Sequence, residues 1–129
     1  MVILFDTNII IDHLRLKGKN SVQYNLINNH LDDSFSISTI TIQELFAGAS
    51  TLHKSPLSLL NQTLSELDIL TYTQEVAELA GKIMRDYHPT FADAALAATA
   101  IHYGASLATL NTKDFWEIPH LNLLKLPIF

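Results

Sequence analysis

The chain has 129 residues, of which 48% are hydrophobic and none is cysteine. That length predicts one domain over residues 1–129, with a core large enough to fold without cross-links, and the missing thiol excludes disulfides and cysteine nucleophiles. The formal net charge of −5 argues against a broad basic surface for nucleic acid.

The first residues of this sequence are not expected to form a targeting signal. Residues 1–5 are mostly apolar, but they are too few for a signal peptide and no basic stretch precedes them. No apolar run in the sequence approaches the roughly 18 residues that span a bilayer. We therefore expect a cytoplasmic protein that does not bind a membrane.

Short apolar runs alternate with helical patterns along the chain. The run at residues 2–5 stops at Asp6 and predicts a buried strand. Further strands are predicted at residues 35–38, 69–72, 106–110 and 121–126, with Pro127 closing the last. Strands that alternate with helices indicate βαβ units, so we expect an α/β fold with a mainly parallel sheet of four to five strands.

Helices are predicted between these strands from apolar spacing and from capping residues. Thr73 and Thr90 precede helices that run to residues 87 and 103, and Gly104 ends the second of them. Pro56 predicts the first helical position of another helix. The remaining helices are predicted at residues 7–13, at 39–49, and from a cap at Asn20 or Ser21 to residue 30.

Four acids stand at comparable places, because each follows a predicted strand or opens a predicted helix. They are Asp6, Glu44, Asp93 and Asp114. In a parallel sheet the helix starts gather at the edge where α/β folds bind ligands, so the acids would meet there. Hard oxygen ligands select Mg²⁺ or Mn²⁺, which can activate water and stabilise the leaving oxygen of a phosphodiester. Without these four acids the charge is nearly balanced, so RNA or DNA stays possible as substrate.

Each of the four acids also has a purely structural explanation. Asp6 could cap the first helix. The others fit or come near the capping-box pattern, which pairs Thr41 with Glu44, Thr90 with Asp93, and Asn111 with Asp114. The two explanations are compatible, because a helix N-terminus favours the ionised carboxylate that a metal site needs. Asp93 fits a purely capping role least well, since the alanine-rich helix it opens is predicted to be buried and a buried charge needs a partner.

The basic and aromatic residues allow weaker predictions. Arg15, Lys17 and Lys19 form a basic break after the first helix, and they could contact an RNA backbone or lie in a solvated loop. Both interpretations stay open. Phe115 and Trp116 are predicted to lie in the core.

Four motifs, in order along almost the whole chain, resemble those of PIN-domain nucleases. The opening motif is Asp6-Thr7-Asn8 after an N-terminal strand, and the second is a Glu44-Leu45 pair shortly before a glycine. The third is an aspartate that opens an alanine-rich helix, at residues 92–100. The fourth lies at residues 107–115 and contains Asn111, Thr112 and Asp114. The compact length looks most like the VapC-type toxins of toxin–antitoxin pairs.

This resemblance implies a three-layer α/β/α sandwich with a parallel sheet. It implies an Mg²⁺-dependent endoribonuclease, with Mn²⁺ as a substitute, that acts on structured RNA. It also implies a homodimer, and a cognate antitoxin that wraps the toxin and approaches the site. The alternative function is a PIN-fold protein-binding module with little or no catalysis.

By motif match, the resemblance assigns roles to single residues. The acidic set that catalyses and holds metal would be Asp6, Glu44, Asp93 and Asp114. Positioning of substrate or water would fall to Thr7, Asn8, Asn111 and Thr112. One departure is visible, since the family often has a basic or polar residue where this chain has Leu110. That leaves one fewer candidate for holding a substrate phosphate.

Overall fold

The computed structural model describes residues 1–126 and contains one five-stranded sheet. The strands are β1 (Val2–Phe5), β2 (Ser34–Ser38), β3 (Asp68–Leu70), β4 (Ser106–Ala108) and β5 (Asn122–Leu123). Every pairing is parallel, and the strand order is β3-β2-β1-β4-β5. The predicted parallel α/β sheet is thus confirmed, and the predicted closure of the last strand by Pro127 lies outside the described residues.

Within residues 1–126, six α-helices and two 3-10 helices connect the strands. The α-helices are α1 (Thr7–Arg15), α2 (Val22–Asn29), α3 (Thr39–Phe46), α4 (Lys54–Ser65), α5 (Gln74–Tyr87) and α6 (Phe91–Tyr103). The 3-10 helices are Ala49–Leu52 and Thr112–Asp114. Within residues 1–126, none of the helices has the length and apolar character needed to cross a membrane.

The helices cover both faces of the sheet. Side chains alternate between faces along a strand, so Leu4 and Leu107 pack against α5 and α6, whereas Ile3, Phe5 and Ile37 pack against α1, α2, α3 and α4. All five of these strand side chains are fully buried. This arrangement confirms the three-layer α/β/α sandwich.

The strand order places a topological switch point between β1 and β4. From β1 the chain builds outward to β2 and β3 on one side, and it then crosses to β4 and β5 on the other. In open α/β sheets the crevice at the carboxyl ends of such a strand pair binds ligands. Asp6 lies in this crevice, with its backbone N–H donating to the carbonyl of Ala108 at 2.9 Å.

Three of the predicted N-terminal helix caps are present in the structure, which also decides between Asn20 and Ser21 as the cap of α2. The hydroxyl of Ser21 accepts from the backbone N–H of Tyr24 at 3.0 Å, so Ser21 rather than Asn20 caps α2. Thr73 and Thr90 cap α5 and α6 in the same way. Because these signals are local side-chain to backbone bonds, sequence alone predicts them well.

Several predicted boundaries are wrong for identifiable reasons. α4 begins at Lys54, so Pro56 is the third helical position; the first-turn N–H groups need no helical partner, and proline is tolerated there. α3 ends at Phe46, because the chain turns into the 3-10 helix Ala49–Leu52. β4 ends at Ala108 instead of residue 110, because the hydroxyl of Thr109 bonds side chains of the crevice. β3 lies at Asp68–Leu70 and β5 has only two residues.

Gly104 ends α6 in the left-handed conformation, with φ +67°, and a Cβ there would meet no atom within 4 Å. Gly104→Ala should therefore lower the free energy of unfolding by about 1 kcal/mol through backbone strain alone. Gly81→Ala is the matched control, because Gly81 is helical with equally open space, and it should raise stability by about 0.5–1 kcal/mol. Urea unfolding of both variants tests this pair, and equal effects would contradict it.

Candidate active site

Asp6 is the buried acid at the carboxyl end of β1, with 8% of its surface exposed. Its Oδ2 accepts hydrogen bonds from the Thr109 hydroxyl at 2.8 Å and from the Asn8 amide at 3.3 Å. Although Asp6 occupies the N-cap position of α1, its side chain makes no capping bond to that helix. Simple capping therefore does not explain this acid.

Glu44 lies in the last turn of α3 and does not close a capping box. The cap of α3 is Ser38, whose hydroxyl accepts from the N–H of Ile40. Instead, the Thr7 hydroxyl donates to Oε1 of Glu44 at 2.7 Å, and the hydroxyl oxygens of Thr7 and Thr41 lie 3.1 Å apart. Thr7 thus joins the start of α1 to Glu44 and orients that carboxylate.

Asp93 stands in the first turn of α6, as the capping pattern predicts. Its backbone N–H donates to the Thr90 hydroxyl at 3.2 Å. The helix after it is buried, with residues Ala94 to Ala100 almost wholly inaccessible. Partial burial raises the pKa of Asp93, and the negative charges of Asp114 and Glu44 raise it further, although a hydrogen bond with Thr90 opposes the shift.

The fourth motif surrounds Thr109, a residue that sequence reasoning missed. The Thr109 hydroxyl bonds Asp6 and also accepts from the backbone N–H of Asn111 at 3.0 Å. Oδ1 of Asn8 accepts from the backbone N–H of Leu110 at 3.3 Å. Asn8 and Thr109 therefore tie the β1 and β4 turns together around the Asp6 carboxylate. The available signal was a threonine that directly follows the buried β4 run.

Asp114 lies at the end of the 3-10 helix Thr112–Asp114 and is exposed. Asn111 precedes this helix but makes no side-chain cap bond to it, so the near-match to a capping box is not realised. Among residues 1–126, neither Asn111 nor Thr112 donates a side-chain hydrogen bond to Asp114. A role for these two residues in positioning water or the fourth acid stays a prediction.

The four acids form one electrostatic cluster. Burial raises the pKa of Asp6, the charges of Asp93 and Glu44 add to this effect, and the Thr109 hydrogen bond opposes it. Within the described residues no lysine, arginine or histidine forms an ion pair with any of the four. In the same part of the chain, no three acids or histidines converge closely enough to enclose a metal ion. The negative charge of this cluster is therefore not neutralised by a cationic side chain of the described residues.

A groove lies beside Glu44, with a volume of about 760 Å³. Apolar residues of α1 and α4 form most of its wall, and Arg15 and Lys17 also line it. Arg15 is 3.6 Å from a carboxylate oxygen of Asp12, which holds it near the helix. Lys19 is exposed and does not line the groove.

A smaller cleft of about 340 Å³ lies on the side of Asp93 and Asp114. Trp116 lines this cleft and is 71% exposed, so the prediction that it lies in the core is wrong. The neighbouring Phe115 is 1% exposed and takes the core position. Phe115 and Trp116 are adjacent, so this turn cannot direct both side chains into the core. The sequence alone does not show which of the two is buried.

The raised pKa of Asp6 has a consequence for stability. Its ionised form costs folding free energy at neutral pH, and this cost disappears below the unfolded pKa of about 3.9, where both states are protonated. In EDTA, Asp6→Asn should therefore have a higher Tm than the wild type at pH 7, and the difference should shrink as pH falls toward 4. Thermal unfolding across that range measures it. The control is Asp32→Asn, because Asp32 is an exposed acid that lies before β2, at the opposite edge of the sheet. A Tm of Asp6→Asn below that of the wild type at pH 7 would contradict the prediction.

Known proteins share both the sequence pattern and the fold. The PIN domain family model matches residues 3–121. The chain is 32% identical over 124 residues to Ribonuclease VapC19 of Mycobacterium tuberculosis, covering 92% of this chain and 95% of that protein. It is 30% identical over 138 aligned positions to Ribonuclease VapC of Rickettsia bellii, covering 99% and 98%.

The fold is similar to a crystal structure of VapBC2 from Rickettsia felis bound to a DNA fragment from their promoter. The TM-score is 0.83 at 27% identity, over 96% of this chain and 98% of that one. The family model spans most of the chain, and the order of its elements agrees with the resemblance seen in the motifs. The chain belongs to the PIN domain family.

Proposed function

We propose that this chain is a metal-dependent endoribonuclease and the toxin of a type II toxin–antitoxin pair. The observation that carries the proposal is the acid cluster at the switch point, where Asp6 is buried and no cationic side chain of residues 1–126 forms an ion pair with it. The alignments with the relatives named ribonuclease cover almost the whole chain. This similarity supports hydrolysis of RNA as the reaction.

The donor set fits a hard divalent cation. Carboxylate oxygens select Mg²⁺ or Mn²⁺, and Mg²⁺ keeps several waters while only one or two carboxylates bind it directly. A cluster in which no three acids enclose an ion among the described residues is therefore compatible with such a site. A cation there would also offset the cost of burying the ionised Asp6.

We assign the ligand set to Asp6, Glu44, Asp93 and Asp114. When bound, the cation would lower the pKa of a water and stabilise the charge on the leaving oxygen. The chain's own part is to fix the carboxylates: Thr109 and Asn8 hold Asp6, and Thr7 holds Glu44. The N-terminus of α6 favours the ionised form of Asp93.

Substrate contacts are proposed on the Glu44 side of the cluster. Arg15 and Lys17 line the groove that reaches Glu44, so they are placed to contact phosphates of an RNA that crosses the acids. Lys19 lies on the same loop outside the groove, and its contact with RNA stays a prediction.

We propose a cognate antitoxin as the protein partner. The similar structure from Rickettsia felis is that of VapBC2, and the apolar groove between α1 and α4 offers a surface beside Glu44 that such a partner can cover. A homodimer and a cytoplasmic location stay predictions from the sequence.

Incubation of the purified chain with total structured RNA tests this function. With Mn²⁺ or Mg²⁺ we expect discrete cleavage products, and EDTA should abolish them because the proposed reaction needs the cation to lower the pKa of the water and to stabilise the leaving oxygen. If no product forms with either ion, and calorimetry shows no binding of Mn²⁺ at neutral pH, the alternative of a non-catalytic protein-binding module replaces this proposal.

A further inference from the structure

We propose that the cleft beside Asp93 and Asp114 is the subsite for an unpaired nucleotide of the RNA, with the Trp116 indole as the platform for its base. This inference rests on the proposed function, since it names the form of RNA that the same site takes. It assigns substrate specificity to a residue outside the four family motifs.

The cleft has the position and size for one nucleotide. One wall is the turn between α5 and α6, from Tyr87 to Thr90, and the other is the segment at residues 113–118. Asp93 and Asp114 line it, so it opens directly onto the acid cluster. Its volume of about 340 Å³ is at the lower end for ligand pockets, which suits a single extruded nucleotide and excludes a duplex.

The exposure of Trp116 is fixed by its neighbours. Phe115 and Ile118 are 1% and 6% exposed, and the backbone N–H of Ile118 donates to the carbonyl of Phe115 at 3.2 Å. Both anchors hold this turn against the α5 and α6 side of the core. Trp116 therefore stands outward on a supported turn, and a rigid, flat aromatic surface is what a base needs for stacking.

The Trp116 indole and the Lys113 ammonium group, and not the net charge, favour a nucleotide over a protein partner, because Asp93, Asp114 and Glu117 make the lining of the cleft net negative. Lys113 lines it and forms no ion pair within residues 1–126, so its ammonium group is available for a phosphate. His88 and Glu117 add further polar groups to the wall. The groove beside Glu44 is mostly apolar instead, and it is the better surface for a protein. With its base stacked on Trp116, the nucleotide would have its phosphodiester bond next to Asp93 and Asp114.

Fluorescence can test this subsite directly, because Trp116 is the only tryptophan of the chain. The Asp6→Asn variant, which keeps the cleft, is titrated with a single-stranded RNA of about ten nucleotides, a length within the usual range of such sites. We expect the RNA to quench the emission as bases stack on the indole. A base-free ribose-phosphate oligomer of equal length should bind without that quenching.

Substitutions provide the quantitative test. Trp116→Ala should weaken binding of the RNA about 5- to 150-fold, the loss expected for one stacked base, whereas Trp116→Phe should largely restore it. Tyr24→Ala removes another exposed aromatic, which lies on α2 and is 50% exposed, and this variant should bind RNA like the parent. Binding is followed by a dye on the RNA, so that variants without tryptophan can be compared.

The outcomes separate this inference from the proposed function. If the wild type cleaves RNA, Asp6→Asn does not, and Trp116→Ala binds and cleaves as the wild type does, the function stands and the subsite is wrong. If emission changes with protein concentration alone and not with RNA, Trp116 belongs to a protein interface and the subsite is also wrong. If RNA quenches Trp116 but no preparation cleaves it, the subsite stands and the proposed hydrolysis fails.

Discussion

Asp6→Asn is expected to lower RNA cleavage by about a thousandfold or more while the fold is kept. Replacing the buried carboxylate by an amide removes the charged ligand that the cluster places at the switch point, and a bound cation supplies several kcal/mol of barrier lowering. The amide oxygen can still accept from Thr109 and Asn8, which bond the carboxylate, so the local packing survives. Single-turnover cleavage of one defined RNA with Mn²⁺ measures the loss.

Asp32→Asn is the matched control for this result. Asp32 is an exposed acid at the amino-terminal edge of the sheet, before β2, and its removal changes the net charge equally. It should cleave at the wild-type rate. Full activity in Asp6→Asn, after a contaminating nuclease has been excluded by repurification, would remove Asp6 from the proposed site.

Asp93→Asn is expected to lower the rate of RNA cleavage by a factor of the same order as Asp6→Asn. The double variant, which carries both substitutions, should cleave at most about threefold more slowly than either single variant. The negative charge of Asp93 raises the pKa of Asp6, and we propose that both carboxylates act on one bound cation. When residues act together on one step, the effects of substituting them do not add, because removing one residue already abolishes the shared step.

The double-variant measurement uses the same defined RNA and the same Mn²⁺ concentration. Circular dichroism confirms that each variant retains its helices, and α6 should keep its cap because the backbone N–H of Asp93, which the substitution leaves in place, donates to the Thr90 hydroxyl. If the two losses multiply, the carboxylates act independently and the single shared site is wrong.

Sequence alone predicted the parts of the fold that depend on local bonds. The helix from Phe91 to Tyr103 begins and ends where its threonine cap and Gly104 place it, since capping groups and a left-handed glycine act on adjacent backbone. β1 and the position of Asp6 at its end were predicted because a buried strand and a following helix leave few alternatives. The four acids are predicted as one site because a parallel sheet brings the segments that follow its strands to one edge, and their assignment as ligands stays a prediction.

Other features depend on contacts between distant segments. Glu44 matched a capping box, but its partner is the hydroxyl of Thr7, 37 residues earlier in the chain. Thr109 bonds Asp6 across 103 positions, and no periodicity reports such a pair. The exposure of Trp116 depends on Phe115 occupying the core beside α5 and α6, which composition does not decide.

Anomalous diffraction at the manganese edge, from crystals grown with Mn²⁺, shows directly whether a divalent cation binds in the Asp6 crevice. We expect a peak beside the Asp6 carboxylate, with Glu44 or Asp93 in contact with the ion directly or through a water, and no such peak in Asp6→Asn crystals. A peak that persists unchanged in Asp6→Asn, or Mn²⁺ bound elsewhere on the chain while the Asp6 crevice has none, would contradict it.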